Sequence, residues 1–269
     1  MPGEDLAGGL VDLDLRPGLG LPDGAEPASV VSVGFPTDFG RDFAAGVEKW
    51  GEANGVEVQE YIETGPNAAV GNQDGVVAAI LEGQPDAVGL AVPPVEAAEI
   101  VGKAAAQGYT GTFLGFLASW NPALIETDAA PALEALYLNV ATHENFTGES
   151  AAHEALREAY GDGNPPNDGY TFGWISQYPI QAVLEQAAEN GDLTREGVVA
   201  AVDGTVVDYE GALPEFTLGG DPNENADRSI TINGVDLEGE TRGQGIAALE
   251  TGYVGPTAEA YEYTAACTS

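Results

Sequence analysis

Short apolar runs and longer amphipathic segments alternate along residues 29–120 of the chain. The apolar runs, which are typical of buried strands, lie at residues 29–35, 87–91 and 111–116, and a more polar segment at 56–62 is also predicted to be a strand. The segments between them have apolar residues at helical spacing and end at Gly55, Gly83 and Gly108, and glycine commonly ends a helix. Strands that alternate with helices require crossover connections and a parallel sheet covered on both faces. The pattern therefore predicts an α/β fold.

Each of these predicted helices carries one apolar stripe. In the first helix the stripe consists of Phe43, Ala44, Val47 and Trp50. Because these residues recur at the spacing of one helical face, we expect that face to be buried against the sheet. In the third helix Pro94 stands in the first turn, where proline is tolerated.

After Trp120 the pattern changes. An apolar run at residues 135–140 predicts another strand, and helical segments follow at residues 149–160, 171–190 and 194–202. Short strands dominate from residue 206 onward. The chain is therefore divided into an irregular segment at 1–27, an α/β domain at 28–142, a helical part at 143–205, and a return to the α/β domain with a terminal tail at 206–269.

The charge of the chain is extreme. Its 269 residues include 44 acidic and 8 basic ones, which gives a formal net charge of −36. Nucleic acids and anionic membranes attract proteins of the opposite sign, so both are excluded as general partners. The acidic surface suits a salty medium, and self-repulsion predicts that added salt raises stability. Attraction of cationic ligands is the alternative reading of the same charge.

No motif for catalysis or for a metal or cofactor stands out in the sequence. There is no Gly-x-Ser-x-Gly, His-Glu-x-x-His or phosphate-loop pattern, and His143 and His153 are both expected at the surface. The polar run that begins at Asp221 lacks the glycine and glutamate of a calcium loop, because Ala226 and Ile232 stand at those positions. Cys267 is the only cysteine and has no partner for an internal disulfide. We therefore predict a protein that is not an enzyme.

The loops that follow the predicted strands are the most promising region for ligand binding, because ligands of parallel sheets bind outside the carboxyl ends of the strands. Those loops are mostly apolar and aromatic, the usual texture of a small-ligand cleft. The candidate ligand-binding residues are Asp38, Phe39, Val92, Pro93, Leu117 and Trp120. The alternative is that Phe39 and Trp120 only cap the core of the sheet.

Several segments together resemble the type I periplasmic substrate-binding proteins, in particular the branched-chain amino-acid (Leu/Ile/Val) group of ABC-transporter binding proteins. The resemblance spans roughly residues 28–232 and rests on segments that keep their order and spacing. These segments are Val30–Val33 leading to Thr37–Phe43, Gln84–Val88, Lys103–Tyr109, Phe172–Gly191 and Val198–Val202.

The resemblance implies Rossmann-like parallel sheets in two lobes with a small molecule clamped between them. It also implies an extracytoplasmic protein that works with an ABC-transporter permease, although this chain shows no signal segment. Phe39 stands where the family often has a ligand-stacking tyrosine. Pro93 stands near another aromatic contact, and Leu117 near the place where amino-acid binders offer a carboxylate. These two departures favour an apolar or neutral ligand, or a carboxylate without an α-ammonium group, because a buried ammonium without a counter-charge is costly. The small molecules considered are an amino-acid-like compound, an amide or an organic acid.

The same resemblance assigns residues 28–142 and the return after 206 to the second lobe, and residues 143–205 to the helical part of the first. The family begins with a strand-helix series that residues 1–27 do not resemble, so we expect the first lobe to be incomplete. The apolar stripe of the helices at residues 149–202 would then be partly uncovered. Two alternatives for function are a ligand-sensing domain of a regulatory receptor with this fold and, less favoured, a flavodoxin-like enzyme.

Overall fold

The computed structural model describes residues 27–264. The predicted irregular segment at 1–27 therefore lies almost wholly outside the described residues, and Cys267 lies outside them as well. The described chain forms two compact units. The first contains the residues up to Thr142 together with Arg228–Ala260, and the second contains His143–Asp227 with residues 261–264.

The first unit is built on one mostly parallel sheet. Its strands are β1 (Ser29–Gly34), β2 (Glu57–Val58), β3 (Ile62–Glu63), β4 (Ala87–Ala91), β5 (Thr112–Phe116), β6 (Tyr137–Ala141), β9 (Ile230–Val235) and β10 (Ile246–Tyr253). Among the described residues the order is β10-β9-β6-β5-β4-β1-β2, with β3 also paired to β1. Strands β1 to β6 pair in parallel, whereas β9 and β10 are antiparallel. The predicted α/β class is confirmed.

Helices connect these strands and cover the sheet. They are α1 (Asp38–Asn54), α2 (Asn67–Val70), α3 (Asp74–Gly83), α4 (Pro94–Ala106), α5 (Ala130–Leu136) and, after β10, α11 (Pro256–Ala260). Gly55 follows the last residue of α1 as its C-terminal cap, and its φ of 69° is left-handed and favours glycine. The predicted stripe of α1 is buried as expected, and Trp50 is only 1% exposed. Full burial of such an apolar side chain contributes roughly 1.5–3 kcal/mol.

Two predicted strands differ in the structure. The run at 56–62 is split into β2 and β3, because Val30 pairs with Val58 whereas Val33 pairs with Ile62. One extra residue is thus inserted opposite β1, as in a bulge. The predicted strand at 135–140 begins only at Tyr137, since the preceding residues complete helix α5.

The second unit consists of helices with little sheet. They are α6 (Ala151–Tyr160), α7 (Gly169–Ile175), α8 (Gln177–Glu189), α9 (Arg195–Ala200) and α10 (Pro222–Asn225), and β7 (Val206–Val207) pairs with β8 (Phe216–Thr217). The predicted helix at 171–190 is divided near Ser176, because Pro179 has no N–H to donate to the Ile175 carbonyl. The hairpin of β7 and β8 belongs to this unit, so the chain returns to the first unit at Arg228, where the sequence prediction had residue 206.

Candidate functional site

The parallel strands of the first unit end at one edge of the sheet, and the loops after β1, β4 and β5 lie along that edge. Phe39, in the first turn of α1, is 41% exposed there. Its ring centroid lies 5.5 Å from that of Phe116 at the end of β5, with 59° between the ring planes. Phe116 itself is half-buried. The edge therefore presents one exposed aromatic ring supported by a second, a surface on which an apolar ligand can pack.

Helix α1 begins beside this pair. Thr37 precedes the helix and makes no side-chain capping hydrogen bond, while its carbonyl oxygen accepts from the amides of Gly40 and Arg41. The amides of Asp38 and Phe39 have no hydrogen-bond partner among the described residues, and the Asp38 side chain is exposed. Free amides in a first helical turn favour negatively charged or carbonyl oxygen atoms.

Gly40 and Tyr61 hold the loop after β1 in place. The Tyr61 hydroxyl donates to the Phe35 carbonyl oxygen over 2.9 Å. A Cβ atom on Gly40 would clash with that same oxygen and with the Tyr61 hydroxyl, so the close approach requires glycine. Burial, with a smaller contribution from Glu63, raises the pKa of Tyr61 to about 12, and the phenol stays protonated as a donor at neutral pH.

Two of the six candidate residues are in the core rather than at the edge. Val92 is 0% and Trp120 8% exposed. Trp120 stacks on Tyr137 with centroids 5.9 Å apart and donates from Nε1 to the Gln244 carbonyl oxygen over 2.9 Å. Trp120 therefore packs in the core of the sheet, as the alternative interpretation of this residue predicted. Pro93 and Leu117 are half-buried.

The turn after β5 is fixed by Ser119, which sequence reasoning did not single out as functional. Its hydroxyl lies 3.0 Å from the carbonyl oxygen of Leu90 and 2.7 Å from that of Val92. This contact ties the turn after β5 to the end of β4. Phe116 and Tyr61 were likewise not among the residues predicted from the sequence, although the position of Phe116 at the carboxyl end of a predicted strand was a usable signal.

Both histidines are buried, so the prediction of surface histidines is wrong. His143 is 3% and His153 2% exposed. His153 lies with Nδ1 2.7 Å from the Ser150 hydroxyl and Nε2 3.1 Å from the Glu144 carbonyl oxygen, and burial lowers its pKa. Nε2 of His143 lies 3.0 Å from a carboxylate oxygen of Asp168. Each histidine thus contacts polar groups elsewhere in the second unit. A helical pattern in the sequence does not reveal these contacts.

Within the described residues 27–264, the polar run that begins at Asp221 has a structural role rather than a metal-binding one. Asp221 caps α10 by accepting from the Asn223 amide over 2.9 Å. No group of three or more histidine, cysteine or acidic side chains in that range is arranged to hold a metal ion. None of the described helices combines the length and apolar character that a membrane crossing needs.

The chain matches one family model and many solved structures. The model of the periplasmic binding protein family matches residues 22–240. The fatty acid ABC transporter substrate-binding protein from Thermomonospora curvata is 23% identical with a TM-score of 0.78, and the match covers 96% of this chain and 65% of that one. No curated protein matches the chain.

Two further solved structures share the fold at lower identity. A leucine binding protein from Thermotoga maritima is 18% identical with a TM-score of 0.67, covering 94% of this chain and 66% of that one. A branched chain amino acid ABC transporter protein from Thermus thermophilus, with bound valine, is 16% identical with a TM-score of 0.69, covering 95% and 66%. The chain thus spans about two thirds of the length of the solved structures that it resembles.

Proposed function

The chain belongs to the periplasmic binding protein family, and from that premise we propose that it is an extracytoplasmic solute-binding protein of an ABC importer. In this role it binds a small organic ligand without chemical change and presents it to the permease. The observation that supports the proposal most directly is the pair formed by exposed Phe39 and half-buried Phe116 at the carboxyl edge of the sheet.

The ligand in this proposal is an apolar organic acid or amide without an α-ammonium group. Its apolar part would pack on Phe39 and Phe116, and its carboxylate or carbonyl oxygen would accept from the free amides at the start of α1. Leu117 and Pro93 offer no charge to an ammonium group, and burying such a group without a partner is costly. The similar protein from Thermomonospora curvata is named for a fatty acid, which agrees with this class of ligand.

Isothermal titration calorimetry tests the ligand class. We expect octanoate, hexanamide or phenylacetate to bind, and leucine, isoleucine and valine to bind at least about tenfold more weakly, which corresponds to about 1.4 kcal/mol. Phe39→Ala should weaken binding of the acid by about tenfold, because the exposed half of the aromatic pair is removed. Val199→Ala is the matched control, since Val199 is 66% exposed on α9 of the second unit and is not a candidate site residue. Micromolar binding of leucine without binding of the acids would contradict the proposed ligand class.

The importer role has its own test. Genes for an ABC permease and an ATPase next to the gene for this chain would support it, and the purified permease should bind the ligand-loaded protein more tightly than the free one. A neighbouring kinase or regulator gene, with binding to that partner instead, would favour a sensor domain.

A further inference from the structure

The loop after β4 contains two consecutive prolines, Pro93 and Pro94, directly after Val92. Proline has no backbone N–H, so neither residue can donate a hydrogen bond to a neighbouring loop. The Pro93 carbonyl oxygen already accepts from the Ala97 amide in the first turn of α4. The carbonyl oxygen of Val92 is therefore the group through which another loop can hold this one in place.

Ser119 supplies that hydrogen bond. It ends the 3-10 turn Leu117–Ser119 directly after β5, and its side chain is 0% exposed. The hydroxyl lies 2.7 Å from the Val92 carbonyl oxygen and 3.0 Å from that of Leu90. A hydroxyl group has one proton to donate, and the shorter distance is the usual one for an O–H···O bond. The paired residues of β4 and β5 end at Leu90 and Gly115, and beyond them Ser119 joins the two strand ends.

The end of β5 is also held from its other side, by β6. Asn139 of β6 is 1% exposed, and its Nδ2 donates to the Phe116 carbonyl oxygen over 3.2 Å. Phe116 itself pairs with Val140 of β6 in the sheet. Phe116 is therefore fixed to β6 by contacts that do not involve Ser119. The loop after β4 is the part whose position depends on the Ser119 hydroxyl.

We propose that Ser119 is a positioning residue that sets the spacing between Pro93 after β4 and Phe116 at the end of β5, and that it thereby selects ligands by their width. This inference rests on the proposed function, because both residues belong to the candidate ligand site. Ser119 is fully buried, so it acts through the two loops without touching the ligand. A hydrophobic pocket of fixed size discriminates roughly 10–200-fold for a single methylene group, and a pocket with a loose wall discriminates less.

Calorimetry with octanoate and its branched isomer valproate tests the selection by width. The two acids have the same composition and charge, so the ratio of their dissociation constants reports on ligand shape. We expect the wild-type protein to bind the unbranched octanoate more tightly. Ser119→Ala should reduce that preference by about fivefold, because the loop after β4 can then move away from β5. A loss of folding stability by itself would weaken both acids equally and leave the ratio unchanged.

Ser32→Ala is the matched control. Ser32 is 2% exposed on β1 of the same sheet, and its hydroxyl has no hydrogen-bond partner among the described residues. This change removes a buried hydroxyl without cutting a contact between loops, so both dissociation constants should stay as in the wild type. Ser119→Cys nearly keeps the side-chain size but donates only weakly. It replaces Ser119→Ala if the alanine variant fails to fold, and it should shift the ratio in the same direction.

Amide hydrogen exchange without any ligand separates this inference from the proposed function. Ser119→Ala should speed exchange at residues 117–120 and leave exchange in α3 unchanged. If the wild-type protein binds neither acid, the proposed function is wrong, and exchange at residues 117–120 decides whether Ser119 joins the loops. If the acids bind, an unchanged ratio in Ser119→Ala or an equal shift in Ser32→Ala would overturn the role of Ser119, and so would unchanged exchange at residues 117–120.

Discussion

Helices α4 and α8 have the same length of 13 residues but different surroundings. Helix α4 lies on the sheet of the first unit and buries six of its residues, including Ile100 and Val101 at 0% exposure. Helix α8 buries two, Val183 and Ala187, and leaves Ile180 and Leu184 exposed. An amphipathic pattern therefore indicates which face of a helix is apolar. How deeply that face is buried depends on the element that packs against the helix.

The same contrast extends to the two units as wholes. Two large clusters of buried apolar residues occupy the first unit on the two sides of its sheet. The second unit has small clusters, one around Ile175 and one around Val183. We expect the first unit to dominate the resistance of the chain to unfolding, because buried apolar area is the main favourable contribution.

The largest effect should come from truncating matched residues on the two helices. Ile100→Ala should lower the free energy of unfolding by about 2–5 kcal/mol, because the side chain is fully buried and a cavity remains. Leu184→Ala should change it by less than about 0.5 kcal/mol, as for an exposed position. Urea unfolding at low salt, followed by tryptophan fluorescence, measures both. Equal losses for the two variants would show that α8 is as well covered as α4.

A smaller effect is expected from two glycines of the first unit. Gly40→Ala should cost about 1–3 kcal/mol and weaken ligand binding, because the new methyl group overpacks the loop held by Tyr61. Gly75→Ala is the control within α3, where a Cβ atom meets nothing within 4 Å. That change should be neutral or stabilise by up to about 1 kcal/mol. If Gly40→Ala changes neither the free energy of unfolding nor ligand binding, the loop after β1 accommodates the methyl group and the prediction is wrong.

The smallest expected effect is a loss of folding stability on mild acidification, and it should be confined to the second unit. Burial lowers the pKa of His153 in the folded state, so the unfolded state binds more protons and stability falls as the pH drops. This contribution is complete above the unfolded pKa of about 6.5 and is lost as the pH falls from there through the folded pKa. Its surroundings include Glu144, Arg157 and His143.

Fluorescence of Trp174, in a variant in which Trp50 and Trp120 are phenylalanine, reports on the second unit at pH 7.5 and 5.5. His153→Gln should remove the part of the pH response that is due to this side chain. The first unit has no histidine among the described residues, so amide exchange in α4 should respond less over this range. If amide exchange in α4 and in α8 changes equally between pH 7.5 and 5.5, the pH response is a global effect of the acidic residues and not of His153.

The sequence predicted the first unit well because its elements are bounded by local signals. Strand β4 has the predicted bounds of Ala87–Ala91, a continuous apolar run typical of a strand buried on both faces. Helix α1 ends before Gly55 as expected. In the second unit the pattern predicted one helix at residues 171–190. The structure divides it near Ser176 because Pro179 cannot donate a backbone hydrogen bond.

For the candidate site, the sequence identified the edge but not which side chains are exposed there. Apolar and aromatic residues follow the strands in the sequence, and burial distinguishes among them only after folding. Phe39 lies at the surface beside Phe116, whereas Trp120 lies in the core because its indole N–H finds the Gln244 carbonyl oxygen 124 residues away in the chain. The bulge between β2 and β3 and the burial of both histidines likewise depend on contacts between distant segments.

By itself, the sequence determined the alternation of strands and helices, the family resemblance and the strongly acidic charge. These follow from local periodicity, from glycine and proline positions and from composition. Only the tertiary structure decided which aromatic residues pair at that edge, which buried polar groups find partners, and which helix face is left uncovered. Such outcomes depend on the residues that fold opposite each element, and sequence spacing carries no information about them.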